Sequence, residues 1–147
     1  MTTDRFKMPV AVHLFLMRDD DILLHLRKNS SFDGLYGVVA GHVNGGESAS
    51  AAMIREAKEE VGVDIYPADL TMIAVSHSNA NDRELVQFFF TCRNWKGEIS
   101  NQEPDKCAEL RFFPITDLPK NIVPYIAKGI ACVLQGVTYY EFGWEDN

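Results

Sequence analysis

The segment between Ser48 and Gly62 restricts the fold of this chain more than any other. It is rich in Ala, Glu, Lys and Met, whereas the apolar runs on either side are short and contain β-branched residues. Ser48 is a favourable N-cap and Gly62 a favourable C-terminal stop, so the segment predicts a helix from Ser48 to Val61. A helix set between groups of strands must bury its apolar side against a sheet.

Short strand-like runs precede and follow this helix. They are 8–17, 22–26, 35–39, 70–76, 85–92 and 110–114. The first two read as a hairpin around the charged turn 18–21, and a second helical segment covers about 122–134. The order strands, helix, strands, helix predicts an α+β or α/β fold with a mixed sheet. The 147 residues predict a single domain spanning 1–147.

The first helix carries three carboxylates within five residues, at Glu56, Glu59 and Glu60. At about 100° per residue, all three point into one arc beside the apolar stripe. Most Glu-rich helices of this kind simply present a solvated acidic face. Clustered carboxylate oxygens are also the ligands that Mg²⁺ and Mn²⁺ prefer. The helix alone leaves both interpretations open.

The residues upstream favour the metal site. Residues 41–47 read GHVNGGE, and after seven further residues the positions 55–63 read REAKEEVGV. This resembles the Nudix box, G-x5-E-x7-R-E-U-x-E-E-x-G-U with U aliphatic, at every specified position. At average residue usage, a chance match in a chain of this length is on the order of one in ten million.

The resemblance implies a Nudix hydrolase of the MutT type, with an α/β/α sandwich in which the box helix and a C-terminal helix pack on a mixed sheet. It also implies that Glu56, Glu59 and Glu60, with the carbonyl of Gly41, hold Mg²⁺, with Mn²⁺ as an alternative. Such ions bridge a substrate diphosphate and deliver a water nucleophile.

The remaining box residues have predicted roles as well. Glu47 and Arg55 are expected to brace the glycine loop against the helix as an ion pair, and Arg55 is also placed in the catalytic set. Gly46 and Gly62 are expected to serve the loop and the helix end, since glycine permits tight turns.

Two charged residues outside the box also match the MutT-type pattern. Arg27 ends the strand before the box and is expected to face phosphates or sugar, with a solvated strand end as the alternative. Glu103 follows a Trp-x-Gly-Glu turn at 95–98 and is expected to act as a further metal ligand or general base. Its competitors are Glu98, Asp105 and Glu109.

Arg83 and Asn121 match MutT-type positions that contact a purine base, although both residue types also cap turns and helices. The stretch 78–81 lacks the Pro or Tyr of subfamilies that act on ADP-ribose or diadenosine polyphosphates. We therefore expect Mg²⁺-dependent hydrolysis of a canonical or oxidised (deoxy)nucleoside triphosphate to monophosphate and pyrophosphate. The alternatives are a non-nucleotide or sugar-linked diphosphate as substrate, and a non-catalytic sensing module.

Charge and composition exclude several other classes. The chain has 14 basic and 21 acidic residues, for a net charge of −7, which argues against binding to a nucleic-acid polymer. It has no apolar run long enough for a membrane span and no apolar leader. Three scattered cysteines form no disulfide or zinc pattern, so we expect a reducing cytoplasm.

Aromatic residues and histidines are assigned structural roles. The run Phe88–Phe90 is expected to alternate across the sheet as core. The C-terminal aromatic segment around Trp144 covers the site or forms a homodimer interface, and the sequence leaves both open. The histidines are not spaced as a metal set, and each is expected to be a hydrogen-bonded strand or loop residue; they are His13, His25, His42 and His77.

Overall fold

The structure is a computed structural model that describes residues 4–80 and 82–144. Its strands are β1 (Val10–Arg18), β2 (Asp21–Arg27), β3 (Tyr36–Gly37), β4 (Val39–His42), β5 (Leu70–Ala80), β6 (Arg83–Cys92), β7 (Cys107–Pro114) and β8 (Tyr139–Phe142). Its helices are α1 (Ala49–Val61) and α2 (Pro124–Leu134), and a short 3₁₀ turn covers Pro67–Asp69.

The strands form a mixed sheet, as the order of the elements predicts. β1 lies parallel to β6 and antiparallel to β4, while β5 lies antiparallel to β6 and parallel to β8. β2 pairs antiparallel with β3 and β7, and it joins β1 only beside their shared turn. The parallel β1–β6 pair at the centre requires a long crossover, and α1 lies within it.

The two helices cover opposite faces of the sheet. Along β1, Val12 and Leu14 pack in the core beneath α1, whereas Phe15 packs in the core beneath α2. Phe89 lies on the α2 side and Phe90 on the α1 side, which confirms the predicted alternation. This three-layer α/β/α sandwich is the fold that the resemblance implies.

The ends of α1 also agree with the sequence. The Ser48 hydroxyl accepts a hydrogen bond of 3.1 Å from the backbone N–H of Ala51, and Gly62 ends the helix in the left-handed conformation at φ 77°. The first turn of α1 is thereby anchored directly after the glycine loop, which aims the carboxylates of the helix at β4.

Several elements differ from the prediction, among them β5, which extends to Ala80, and β7, which begins at Cys107. The run 35–39 is two strands, because Tyr36 pairs with Leu26 of β2 while Val39 pairs with Leu14 of β1. α2 begins at Pro124, whose fixed φ suits the first helical position. The strand β8 was not predicted, because its four residues show too little alternation to signal a strand.

Candidate active site

The edge strand β4 lies between the two halves of the site. Within it, Gly41 pairs with Val12 and Ala40 pairs with His13. Directly paired residues share a face of the sheet. Gly41 therefore faces α1, whereas Ala40 and His42 face the opposite side, where α2 leaves part of the sheet uncovered.

On the α1 side, two carboxylates meet against the backbone of β4. A Cβ atom at Gly41 would overlap the carboxylate of Glu56, so only glycine allows this approach. Glu60 accepts a long hydrogen bond of 3.4 Å from the backbone N–H of Ala40. Burial, together with the hydrogen bond and charge of Glu56 and the charge of Glu103, raises the pKa of Glu60 well above its ordinary value.

Arg55 connects the glycine loop to these carboxylates. Its Nε and Nη2 donate to the two carboxylate oxygens of Glu47 at 3.1 and 2.8 Å, which is the expected ion pair. Its Nη1 donates to Glu56 at 3.0 Å, and its Nη2 also donates to the carbonyl of His42 at 3.2 Å. These bonds lower the pKa of Glu47 and raise that of Arg55. One guanidinium thus sets the position of both the loop and Glu56.

Glu59 and Glu103 lie at the margin of the cluster. The side chain of Glu59 is half exposed and reaches Arg55 only at 3.4 Å. Glu103 lies in the loop before β7, where its backbone N–H donates to the Asn101 side chain, and its charge acts on Glu60. Over residues 4–80 and 82–144, no three acidic, histidine or cysteine side chains converge as a ready ligand set.

On the other side of β4, an open cleft of about 430 Å³ lies over the part of the sheet that α2 leaves uncovered. Arg27 and Arg83, two of the predicted substrate residues, both line it. Arg83 lies 2.7 Å from the Nε2 atom of His42, and burial together with this arginine lowers the pKa of His42. Because Gly41 also lines the cleft, the cleft opens directly beside the carboxylates.

The other side chains of the cleft were not singled out as site residues from the sequence. Gln87 and Ser78 form a buried polar floor, joined by a hydrogen bond of 3.0 Å. Phe32, Tyr125 and Phe142 supply aromatic walls. These residues come from four separate elements and a loop and carry no shared spacing, so no sequence pattern could have grouped them.

Asn121 is not brought to this cleft. Its side-chain amide donates to the carbonyl of Gly34 at 3.1 Å, and its own carbonyl accepts from the backbone N–H of Tyr36 at 2.8 Å. In the structure Asn121 therefore anchors the loop 28–34, which carries Phe32 into the cleft.

The histidine prediction is wrong at two positions. His42 and His77 have side-chain partners, Arg83 and Glu84. In contrast, both ring nitrogens of His13 and the Nε2 atom of His25 are buried without a hydrogen-bond partner among the described residues. The apolar residues around these two strand positions did not indicate that the histidines would lack hydrogen-bond partners.

The C-terminal aromatic segment contributes one side chain to the cleft. Its strand β8 extends the sheet beside β5 and brings Phe142 to the cleft. The indole N–H of Trp144 donates to the carbonyl of His77 at 2.9 Å, which fastens the end of the described chain.

Comparison with known proteins agrees with this fold. The NUDIX domain model matches residues 7–131, and the chain belongs to this family. It is 33% identical over 113 residues to the ADP-ribose pyrophosphatase of Methanocaldococcus jannaschii, covering 76% of this chain and 64% of that protein. It is 32% identical to the NAD-capped RNA hydrolase NudC of Stutzerimonas stutzeri, covering 77% of this chain and 39% of that protein.

Among solved structures, the MutT NUDIX hydrolase of Burkholderia pseudomallei superposes with a TM-score of 0.78 at 26% identity. The match covers 86% of this chain and 98% of that one. The chain spans less than two-thirds of the length of the two curated relatives, 64% of the ADP-ribose pyrophosphatase and 39% of NudC. No described helix is long and apolar enough to cross a membrane.

Proposed function

We propose that this protein is a Mg²⁺-dependent hydrolase of nucleotides that contain a phosphoanhydride bond, with a (deoxy)nucleoside triphosphate as the leading substrate. The observation that carries the proposal is the arrangement around β4. A half-buried carboxylate pair, Glu56 and Glu60, lies on one side of this strand, and a cleft with two arginines lies on the other. A nucleotide whose phosphates pass the edge at Gly41 would reach both.

The carboxylate pair fits a divalent cation. Glu60 lies partly buried beside Glu56, and burial together with the neighbouring carboxylate raises the pKa of Glu60, so the ionised pair lacks a counter-charge. A divalent cation would supply that counter-charge, because carboxylate oxygens are its preferred ligands. Glu59, from the same helix, and Glu103, whose charge acts on Glu60, would supply further ligands. When bound, Mg²⁺ would neutralise phosphate charge and make water a better nucleophile.

The protein's own residues have distinct tasks in this proposal. Arg55 holds Glu56 in place through its hydrogen bond of 3.0 Å. Arg27 binds phosphate or sugar oxygens and Arg83 contacts the base, since a guanidinium offers several N–H donors at fixed angles. A carboxylate oxygen of Glu103 accepts the proton of the attacking water. Positioning and charge neutralisation account for most of the catalysis of phosphoryl transfer.

The test is a phosphate-release panel with Mg²⁺ and with Mn²⁺. It includes common and oxidised (deoxy)nucleoside triphosphates, ADP-ribose, dinucleoside polyphosphates and nucleotide sugars. Glu60→Gln should remove most metal-dependent turnover, and the matched control Glu141→Gln, which changes an exposed residue of β8, should not. Full activity in Glu60→Gln would contradict the assignment of the metal site.

A second candidate substrate is ADP-ribose, a nucleoside diphosphate linked to a sugar, which the relative at 33% identity favours through its name. In the panel, turnover of ADP-ribose with none of the triphosphates would select this candidate. A non-nucleotide diphosphate predicts that Arg83→Ala leaves KM unchanged, whereas binding of a nucleotide predicts a higher KM. Tight ligand binding without turnover of any compound would instead indicate a sensing module.

A further inference from the structure

The loop that precedes β7 is tied by its backbone to the end of α1. The N–H of Ser100 donates to the carbonyl of Val61 at 3.0 Å, and the N–H of Gln102 donates to the carbonyl of Glu60 at 3.1 Å. Both carbonyls lie in the last turn of the helix, where no further helical N–H is available to them. The loop therefore caps α1, and it does so directly before Glu103.

The loop also packs closely on the glycine that ends this helix. Gly62 has φ 77°, and a Cβ atom there would lie 3.0 Å from Nε2 of Gln102. The same Nε2 donates to the hydroxyl of Ser100 at 2.6 Å. The helix end and the loop are thus in direct contact, which ties the place of Glu103 to that of Glu60.

Asn101 connects this loop to β7 through both polar atoms of its side-chain amide. Its Nδ2 donates to the carbonyl of Cys107 at 2.8 Å, and its Oδ1 accepts from the backbone N–H of Glu103 at 3.0 Å. One partner is a carbonyl and the other an N–H, so only this orientation of the amide satisfies both. A single side chain therefore spans the turn 103–107.

The backbone of Glu103 is held on both sides of its Cα atom. Its N–H is bonded to Asn101, and its carbonyl accepts from the N–H groups of Lys106 and Cys107, each at 2.9 Å. With both peptide groups fixed, only the staggered rotamers of the side chain remain to be chosen. The charge of Glu103 raises the pKa of Glu60, so the fixed backbone places the two carboxylates near each other.

A simpler role for Asn101 is to stabilise a surface turn. Asparagine commonly accepts a hydrogen bond from the N–H two residues further on, and in most turns this bond has no other purpose. Here the second bond of the amide reaches across the turn to Cys107, and the loop is anchored on the carbonyl of Glu60. The amide therefore fixes one carboxylate relative to another.

We propose that Asn101 is a positioning residue, which holds the Glu103 carboxylate where it accepts a proton from the water that attacks phosphorus. Asn101 acts through Glu103 and not on the substrate. This inference rests on the proposed function and deepens it, because it identifies what sets the geometry of the general base. Since Arg27 and Arg83 line the cleft on the other side of β4, loss of Asn101 should lower kcat and leave KM within about twofold.

Two variants of Asn101 and one control in the same loop test this role with the best substrate of the panel. Asn101→Ala removes both bonds and should lower kcat by about tenfold or more, because a displaced general base loses much of its contribution. Asn101→Ser keeps a weaker acceptor for the N–H of Glu103, so kcat should recover in part. Ser100→Ala loses the bond to Gln102 but none to Glu103, and should keep kcat within about twofold.

A double-mutant cycle separates positioning from a general loss of structure. If Asn101 acts through Glu103, the double variant Asn101→Ala, Glu103→Gln should have the same kcat as Glu103→Gln alone, because no base is left to position. Damage to the fold or to the carboxylate pair would multiply the two losses. Multiplied losses, an unchanged kcat in Asn101→Ala, or an equal loss in Ser100→Ala would each overturn the inference.

A second measurement requires neither metal nor substrate. Amide exchange of the ¹⁵N-labelled full chain is followed by NMR in EDTA. In Asn101→Ala the N–H of Glu103 loses its acceptor and should exchange about fivefold faster or more, since a lost hydrogen bond has a cost of this size. The N–H of Gln102 keeps its bond to the Glu60 carbonyl and should change less. Equal exchange of the Glu103 N–H in the variant and the wild type would overturn the inference.

Failure of the proposed function and failure of this inference give different results. No turnover of any compound in the panel would contradict the proposed function, and the exchange rate at Glu103 would then decide by itself whether Asn101 holds this residue. Turnover that Asn101→Ala leaves intact would contradict the inference and leave the proposed function standing.

Discussion

Replacing Gly41 by alanine would place a Cβ atom on the carboxylate of Glu56. The nearest other atom of that side chain, Cγ, would lie at 2.7 Å, so the whole end of Glu56 must move. The glutamate can rotate, so the backbone of β4 can stay in place. What is lost is the hydrogen bond of 3.0 Å to Arg55 and the contact with Glu60.

The expected change in melting temperature is small, whereas the expected change in kcat is large. Losing the bond to Arg55 costs about 1 kcal/mol, and alanine in place of glycine restores up to about 1 kcal/mol by restricting the unfolded chain. The melting temperature should therefore change by no more than about 4 °C. A metal ligand displaced by an ångström or more should lower kcat by about 100-fold.

The measurements are calorimetric melting and Mg²⁺-dependent turnover of the best substrate from the panel. Gly45→Ala is the matched control, because a Cβ at Gly45 meets nothing within 4 Å. It should leave turnover unchanged. The reasoning would be refuted if Gly41→Ala kept activity within about threefold of the wild type, or if it lost activity only because the chain no longer folded.

Three further predictions concern the loop, the cleft and the core. Arg55→Lys keeps the charge but loses the two-point bond to Glu47, so the midpoint of urea denaturation should fall; unchanged stability would contradict the bracing role. Phe32→Gly removes the strain of the left-handed conformation at φ 61°, about 1 kcal/mol, so melting should change little while KM for the nucleotide rises several-fold; an unchanged KM would remove Phe32 from the cleft wall. The folded pKa of His13, about 3 against 6.5 unfolded, means that the unfolded chain binds the proton first. Stability should therefore fall by about 1 kcal/mol per pH unit as pH drops from 6 towards 4, and denaturation of His13→Phe should show a shallower slope.

The parts of the fold that follow local patterns could be predicted from the sequence. The caps of α1 at Ser48 and Gly62 act over three or four residues, and the alternation of Phe88–Phe90 acts within one strand. Strand β8 could not be predicted, because its pairing with β5 joins residues more than 60 positions apart. The same distance effect explains why the box residues were recognised whereas the cleft floor was not.

The site residues also show that local patterns are predictable whereas contacts between distant residues are not. Glu56 and Glu60 share one helix face, so their proximity follows from helix geometry. Gln87 and Ser78 meet only through the register of β5 with β6, which the sequence does not encode in any local signal. Asn121 has the residue type of a base-reading group, but in the structure its amide binds the Gly34 carbonyl.

The four residues of β4 have a consequence for how this protein can tolerate change. Because successive strand residues point to opposite faces, a slip of one residue exchanges every side chain between them. In this strand such a slip would replace Gly41 with Ala40 or His42 beside Glu56 and withdraw His42 from Arg83. A single inserted or deleted residue near β4 would therefore disable the carboxylate pair and the cleft together. The segment entering β4 must keep its length for the two halves to act on one ligand.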